Sequence, residues 1–357
     1  MNCQKITKWL LDCQLTDGHY AGGLLEGEDV RTGNYEFVYF ETTGYLLTYL
    51  VNEYQATREE IFLHRAKQAV QFLTANLTRW GLPYTLDPKS SKLDRRVFTF
   101  DNAIIISGLL DLFTVTKLTR YRALALLISR PLIKSMIRTD GTVRAYRDLQ
   151  TGRVTHSGTD FATDESCIHI KDSIALLKLA RATGRGKYRT LAERLLATAP
   201  SFQRPDGSFL VHKNGSFVFS HAHCYATEGC LYGYLSTGSK EYLKWACAAG
   251  DYLSSAQAWT GGIYQYERSG QTAADATSQA IRIWRSLDLI TGRPAYGANI
   301  KRALAYLDRM QAAQGGLRYT QGRFLGRSPI LYTWVSMFAR SAQCLTGSPA
   351  PLINEIY

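Results

Sequence analysis

Six times along the chain, at intervals of about sixty residues, a helical stretch gives way to a Gly-centred loop. The six markers are Gln14-Leu-Thr-Asp-Gly-His-Tyr20, a degenerate Trp80-Gly-Leu-Pro-Tyr84, Arg138-Thr-Asp-Gly-Thr-Val143, Gln203-Arg-Pro-Asp-Gly-Ser-Phe209, Gln257-Ala-Trp-Thr-Gly-Gly-Ile-Tyr264 and Gln311-Ala-Ala-Gln-Gly-Gly-Leu317. A repeat of that length holds two helices and their loops. A second series falls between the first: Ala56-Thr57-Arg58, Leu118-Thr119-Arg120, Thr183-Gly184, Thr237-Gly238, Thr291-Gly292 and Thr346-Gly347. Two interleaved series predict twelve helices.

Apolar periodicity between the markers places these helices near 3–15, 34–55, 58–77, 97–117, 120–137, 164–182, 187–202, 221–236, 240–257, 273–290, 296–313 and 328–345. The Thr-Gly turns are short and join antiparallel pairs, whereas the Asp-Gly and Gly-Gly connections are long. One helix of each pair carries a polar stripe, as with Arg65, Lys67 and Gln68, and reads as an outer, solvent-facing helix. The other is apolar nearly all round, with small residues such as Gly108, Ala175, Gly229, Gly233, Ala280 and Ala339 where helices crowd. The expectation is an all-α (α/α)6 toroid, a six-hairpin barrel spanning residues 1–357 as one domain, with an open α-solenoid as the alternative.

No Pro/Gly/Ser-rich linker interrupts the repeat, and the composition is 45% hydrophobic. No run resembles a membrane span and the first residues lack a signal-peptide pattern, which predicts a cytoplasmic protein. Seven cysteines at irregular positions make no disulfide framework and no Cys-x-x-Cys pair. The formal charge of +12 favours an anionic partner. Because the basic residues are spread rather than blocked, an anionic saccharide or other small-molecule substrate fits better than nucleic acid.

Long loops precede the inner helices, so chemistry is expected at the first turns of those helices, where free N–H groups point outward. The candidate catalytic residues there are Glu41, Asp101, Asp164, Asp275 and the run containing His221, His223, Tyr225 and Glu228. Candidate binding residues are Tyr45, Asn102, Glu165, His169, Gln279, Arg282, Tyr332 and Trp334. Asp164 and Asp275 also read as helix caps, whereas Glu41 and Asp101 sit inside the apolar runs Phe37–Phe40 and Val97–Phe100, where a carboxylate is costly unless paired or functional. In Ser220-His-Ala-His-Cys-Tyr-Ala-Thr-Glu-Gly229, His221 and Tyr225 share one helix face and His223 and Thr227 another. That divergence disfavours zinc, so no metal and no cofactor is expected.

The Gln-x-x-Asp-Gly-x-Phe form of Gln203–Phe209 resembles the repeats of terpene cyclases and protein prenyltransferases, although their Asp-x-Asp-Asp and Asp-Asp-x-x-Asp signatures are missing. A closer resemblance is to toroid proteins of bacterial polysaccharide-biosynthesis clusters related to six-hairpin glycosidases. It is carried by Glu41-Thr-Thr-Gly-Tyr-Leu-Leu47, Val97-Phe-Thr-Phe-Asp-Asn-Ala103, His223-Cys-Tyr-Ala-Thr-Glu-Gly229 and Asp275-Ala-Thr-Ser-Gln-Ala-Ile-Arg282.

This resemblance implies a carbohydrate-active enzyme working by acid/base chemistry on an acidic oligosaccharide or glycoconjugate. Hydrolysis needs two carboxylates roughly 5 to 10 Å apart; Asp101 with Asp275 or Asp164 are the first candidates, then Glu41. Lyase or epimerase chemistry on a uronic acid would use His221 or His223 as base, Tyr225 as acid and Arg282 on the sugar carboxylate. The competing reading is a toroid that binds or cyclises an isoprenoid or other apolar intermediate.

Overall fold

The structure is a computed structural model and describes residues 1–155, 162, 164, 166–267, 269–322 and 326–344. Among these, twelve α-helices follow in order: α1 (Cys3–Cys13), α2 (Phe40–Thr57), α3 (Glu60–Ala75), α4 (Thr99–Thr116), α5 (Thr119–Ser135), α6 (Asp172–Thr183), α7 (Gly186–Leu196), α8 (Ser220–Thr237), α9 (Lys240–Ser255), α10 (Ala274–Thr291), α11 (Gly297–Met310) and α12 (Thr333–Cys344). The described residues form two compact units. The N-terminal unit holds Asp12–Glu26 and Tyr35–Thr198, and the C-terminal unit holds Met1–Leu11, Gly27–Asn34 and the residues from Ala199 on.

In both units the even-numbered helices from α2 to α10 are the apolar ones. Helix α4 is buried from Thr99 through Leu112, and α8 from Ser220 through Gly233. By length and composition α4 is apolar enough to cross a membrane, and 78% of it is buried within the fold. The odd-numbered partners bury a single stripe, such as Phe62, Ala66, Ala69, Phe72 and Leu73 in α3. In the N-terminal unit Gly44 and Gly108 let α2 and α4 close to backbone contact, since a Cβ on Gly108 would lie 2.4 Å from the Gly44 carbonyl oxygen.

The Thr of the second marker series caps each of these buried helices. Thr57, Thr116, Thr183, Thr237 and Thr291 donate their hydroxyls to the carbonyl four residues back, and each Oγ1 accepts the N–H two residues on. The residue after each Thr takes the left-handed conformation that stops the helix: Arg58, Lys117, Gly184, Gly238 and Gly292. In the second repeat the operative pair is therefore Thr116-Lys117 rather than Leu118-Thr119-Arg120. Thr346-Gly347 lies outside the described residues.

The Gly-centred loops dock onto the outer helices by one recurring device. Gly22, Gly141, Gly207, Gly261 and Gly315 all have positive φ, and a Cβ at any of them would lie 2.0–2.4 Å from a backbone carbonyl oxygen, of Gln68, Arg194, Ala248, Arg302 and Lys5 respectively. Four of the loops add a carboxamide clamp. The Nε2 groups of Gln14, Gln203, Gln257 and Gln311 each donate to the carbonyl of their own loop glycine and to a carbonyl of the docked helix, at Arg65, Trp245, Asn299 and Asn2. In the first loop the docking residue is thus Gly22, not the Asp-Gly glycine Gly18, around which a side chain would find open space.

Among the described residues short antiparallel strands follow every loop but the Gly207 loop, and strands or a 3₁₀ turn displace three helix starts expected from the sequence. Residues from 34 to 39 are strand and turn, so α2 begins at Phe40; Leu317–Arg318 and Ile330–Tyr332 pair before α12 begins at Thr333; and a 3₁₀ turn at Cys167–Ile170 precedes α6. In the N-terminal unit Val38–Tyr39 pairs with Thr85–Asp87, and Arg96–Phe98 with Tyr146–Asp148. Deeper in that unit, Lys178 Nζ lies 2.7 Å from Asp111 and from Ser107 Oγ, and Asp111 also accepts from Thr48, which ties α2, α4 and α6 together.

Gly261→Ala brings a Cβ to 2.2 Å from the Arg302 carbonyl oxygen, whereas Gly238, equally left-handed, has nothing within 4 Å. The expected losses are about 1–2 kcal/mol for Gly238→Ala and roughly 3 kcal/mol or more for Gly261→Ala, read from urea midpoints at constant m-value. Equal losses would show that backbone conformation, not docking, sets the requirement.

Candidate functional sites

In the N-terminal unit the first turns of α2 and α4 project Glu41 and Asp101 into a carboxylate-rich cluster. Asp101 is 4% exposed, and its Oδ2 has no hydrogen-bond partner among the described residues. Burial first, then the charges of Glu41 and Asp172, hold its carboxyl well above the usual carboxylate range, with Arg96 opposing. Glu26 belongs to the same field: burial, followed by Glu36 and Glu41, pushes its carboxyl up to about 8. Asp172 is raised by burial against the pull of His169, whose Nδ1 lies 2.8 Å from Asp172 Oδ2.

Two tyrosines face these acids. The Tyr39 phenol donates to Glu41, and its ring meets that of Tyr84 edge-on at 4.8 Å; burial and the surrounding carboxylates raise both hydroxyls, which stay protonated donors. Arg96 lies over the Tyr84 ring at 5.0 Å. This arrangement sets carboxyls whose protonated form is favoured beside phenols that stay protonated.

Other expected members of this cluster do different work. Asn102 Oδ1 accepts the Leu82 N–H and its Nδ2 donates to the Leu82 and Phe98 carbonyls, fixing the degenerate loop. Asp164 accepts the Ala145 N–H at 2.7 Å. Tyr45 is buried, with the Lys171 ammonium 5.3 Å from its ring. Glu165 lies outside the described residues. Glu26, Tyr39, Tyr84 and Asp172 were not among the sequence candidates; only Glu26, the first carboxylate of Leu24-Leu25-Glu26-Gly27-Glu28-Asp29 and directly behind two leucines, carries a signal that could have marked it.

The C-terminal unit holds a second constellation, on α8, α10 and α12. His221 Nδ1 lies 2.8 Å from Gln279 Oε1 and 2.9 Å from Asp275 Oδ2. Gln279 Oε1 is an acceptor, so Nδ1 carries a proton and Nε2 is the nitrogen left for chemistry; the Asp275 oxygens make no hydrogen bond among the described residues. Gln279 Nε2 in turn donates to Glu228 at 3.3 Å, and Glu228 is ion-paired with Arg282. With its charge met by Glu228 and its guanidinium 4.8 Å from the Phe338 ring, Arg282 orients this network rather than presenting an uncompensated cation to a sugar carboxylate.

Aromatic rings enclose the imidazole: Tyr225 at 4.1 Å, Trp334 at 5.0 Å and Phe219 at 5.7 Å between centroids, with Tyr319 and Tyr332 packed on Trp334. Asp275 is fully buried.

His223, two residues along, points elsewhere. Its Nδ1 accepts the Phe209 N–H at 2.9 Å, its Nε2 donates to the Ala249 carbonyl, and burial drops its pKa to about 4. Both ring nitrogens are thus committed to holding the Gly207 loop, which leaves neither for a substrate or a metal. Cys224 is fully buried with its Sγ 3.8 Å from the Ala276 carbonyl.

No family model matches the chain, and no curated protein sequence does. Solved structures do. A sugar epimerase from a ruminal bacterium superposes with a TM-score of 0.79 at 15% identity, covering 96% of this chain and 99% of that one. Cellobiose 2-epimerase from Bacillus thermoamylovorans gives 0.81 at 11% identity over 96% and 98%. An unsaturated glucuronyl hydrolase from a Bacillus species, responsible for glycosaminoglycan degradation, gives 0.70 at 15% identity over 95% and 93%. These likenesses, with the helical content, assign the chain to the (α/α)6 toroid class, mainly α with small sheets in its loops.

A carboxyl held near 8 in the folded state and near 4.5 in the unfolded chain favours folding only while protonated. Stability should therefore fall as pH rises from about 4.5 to 8, and Glu26→Gln should flatten that slope in thermal melts. His223, depressed from 6.5 to about 4, acts in the opposite sense and costs stability as pH falls through that window. The two slopes offset each other between about pH 4.5 and 6.5, so a wild-type Tm that does not fall between about pH 6.5 and 8 would contradict the Glu26 assignment.

Proposed function

We propose that this protein is a carbohydrate-active enzyme that moves a proton at a sugar carbon, with His221 as the base. The observation that carries this reading is the Asp275–His221–Gln279 arrangement. The Gln279 Oε1 acceptor 2.8 Å from Nδ1 holds the ring in one tautomer, and the Asp275 carboxylate at 2.9 Å, a charge contact outside hydrogen-bond geometry, offsets the imidazolium that forms when Nε2 takes a proton. Trp334, half-buried beside the ring, supplies a face on which a sugar packs, with the buried Tyr225 ring behind the imidazole.

The fold supports this reading, since the two epimerase structures superpose with higher TM-scores than the hydrolase. A saccharide also suits the site better than an isoprenoid, because the buried Asp275 carboxylate, whose oxygens make no hydrogen bond among the described residues, favours polar over apolar contents beside His221. Among saccharides, the substrate's own charge is left to the binding assay, because Glu228 already meets the charge of Arg282.

A second reading has its own observation. Asp101, buried beside Glu41 with its carboxyl held well above the usual carboxylate range, offers the pairing of a general acid with a second carboxylate that glycoside hydrolysis uses.

One assay separates the two. Mono- and disaccharides, neutral and uronic, are incubated with the protein in D₂O. Proton transfer at carbon incorporates deuterium, seen by NMR, whereas hydrolysis releases new reducing ends without exchange. We expect exchange, a loss of roughly 100-fold or more in His221→Asn and a smaller loss in Asp275→Asn, with Tm nearly unchanged. Release of reducing ends that disappears in Asp101→Asn and persists in His221→Asn would replace the first reading by the second.

A further inference from the structure

Beyond the His221 constellation, the C-terminal unit contains a cleft of about 430 Å³ lined by Ser220, Tyr252, Ser255, Tyr264, Tyr266 and Glu267. That volume falls within the range of about 300–1,000 Å³ typical of small-molecule sites. None of the three phenol hydroxyls is hydrogen-bonded to another described residue, although the rings come from two separate elements, α9 and the 263–267 segment. Burial pushes the Tyr252 phenol up to about 12, so it stays a donor. Glu267, anchored by Arg204 at 3.2 Å, adds a carboxylate acceptor.

Aromatic rings link this cleft to the base. The extended residues before α8 put Phe217 and Phe219 on one side of the chain, and His221 follows in the first turn of α8. Tyr266 stacks on Phe219 at 4.9 Å and lies 6.3 Å from Phe217, and Phe219 lies 5.7 Å from the His221 ring. Tyr266 and Phe217 are 41% and 42% exposed, unusual for large rings beside a buried site. Exposed ring faces interleaved with hydroxyls and a carboxylate match a pyranose, which offers C–H faces and equatorial hydroxyls together.

We propose that this cleft is a subsite for a second sugar ring, so that the substrate is a disaccharide or longer glycan rather than a free monosaccharide. The proposal rests on the saccharide reading above. It places the reacting ring at His221 and the neighbouring ring across Tyr266, with the Tyr252 and Tyr264 hydroxyls and the Glu267 carboxylate on its hydroxyls.

The test measures binding by saturation-transfer NMR and calorimetry on the full chain with three pairs of probes: mannose and mannobiose, glucose and cellobiose, galacturonate and digalacturonate. At least one disaccharide should bind tenfold or more tightly than its monosaccharide. Tyr266→Ala should remove that preference while leaving the monosaccharide affinity within twofold. Ser255→Trp, at an exposed position on the cleft wall, should do the same by filling the space and guards against a folding defect in the first variant. Equal affinity within every pair, or a disaccharide preference that survives both variants, would overturn the subsite and leave the saccharide reading standing. Binding of none of the six probes would overturn the saccharide reading and the subsite with it.

Discussion

Each chemical group in this protein is positioned by a loop docked onto a helix backbone. The loops that precede the buried helices are long enough to lose their registry; in five of them a glycine without a Cβ lets the loop lie against a carbonyl of an outer helix, and the Gly81 loop is held instead by the Asn102 side chain. The Gln clamp then spends both amide hydrogens on carbonyls, one in the loop and one in the helix. With the loop fixed, its strands pair in register, and the first turn of the next buried helix begins at a defined place. Glu41, Asp101, His221 and Asp275 all stand in such first turns.

The two units use the same placement for opposite electrostatic ends. Around Asp101 carboxylates crowd without cations enough to balance them, so burial and mutual repulsion keep protons on the acids. Around His221 groups of opposite character alternate, running from Asp275 through the imidazole and Gln279 to the Glu228–Arg282 pair. A crowded acid cluster stores protons; a matched network fixes a tautomer.

Much of this was legible in the sequence because glycines and threonines carry out backbone tasks that few residues can. The twelve helices and their pairing follow from those markers. Where a marker failed, a local substitute had taken over: Lys117 supplies the left-handed stop that the Leu118-Thr119-Arg120 marker misplaced, and Gly22 rather than Gly18 meets the helix. The starts near 34, 164 and 328 missed because strand pairing and a 3₁₀ turn consumed residues whose apolar spacing also suits a helix. For the site, helical geometry separated His221 from His223 on different faces, but which face held chemistry depended on Phe209 and Ala249, distant partners that no periodicity reveals. Glu26 and Tyr84 gain their importance only from neighbours brought in by folding.

One turn into five of the buried helices, a single side-chain atom accepts the N–H of the preceding loop: Thr43 for Leu24, Asn102 for Leu82, His223 for Phe209, Thr277 for Ile263 and Ser336 for Leu317. A hydroxyl, an amide oxygen and an imidazole nitrogen all serve. What the architecture requires at that position is a lone pair at a given point in space, not a particular amino acid. Drift among several residue types is therefore neutral for the backbone and erases the letters while preserving the shape. That is how a chain can match known folds along nearly its whole length at 11–15% identity while no sequence model recognises it.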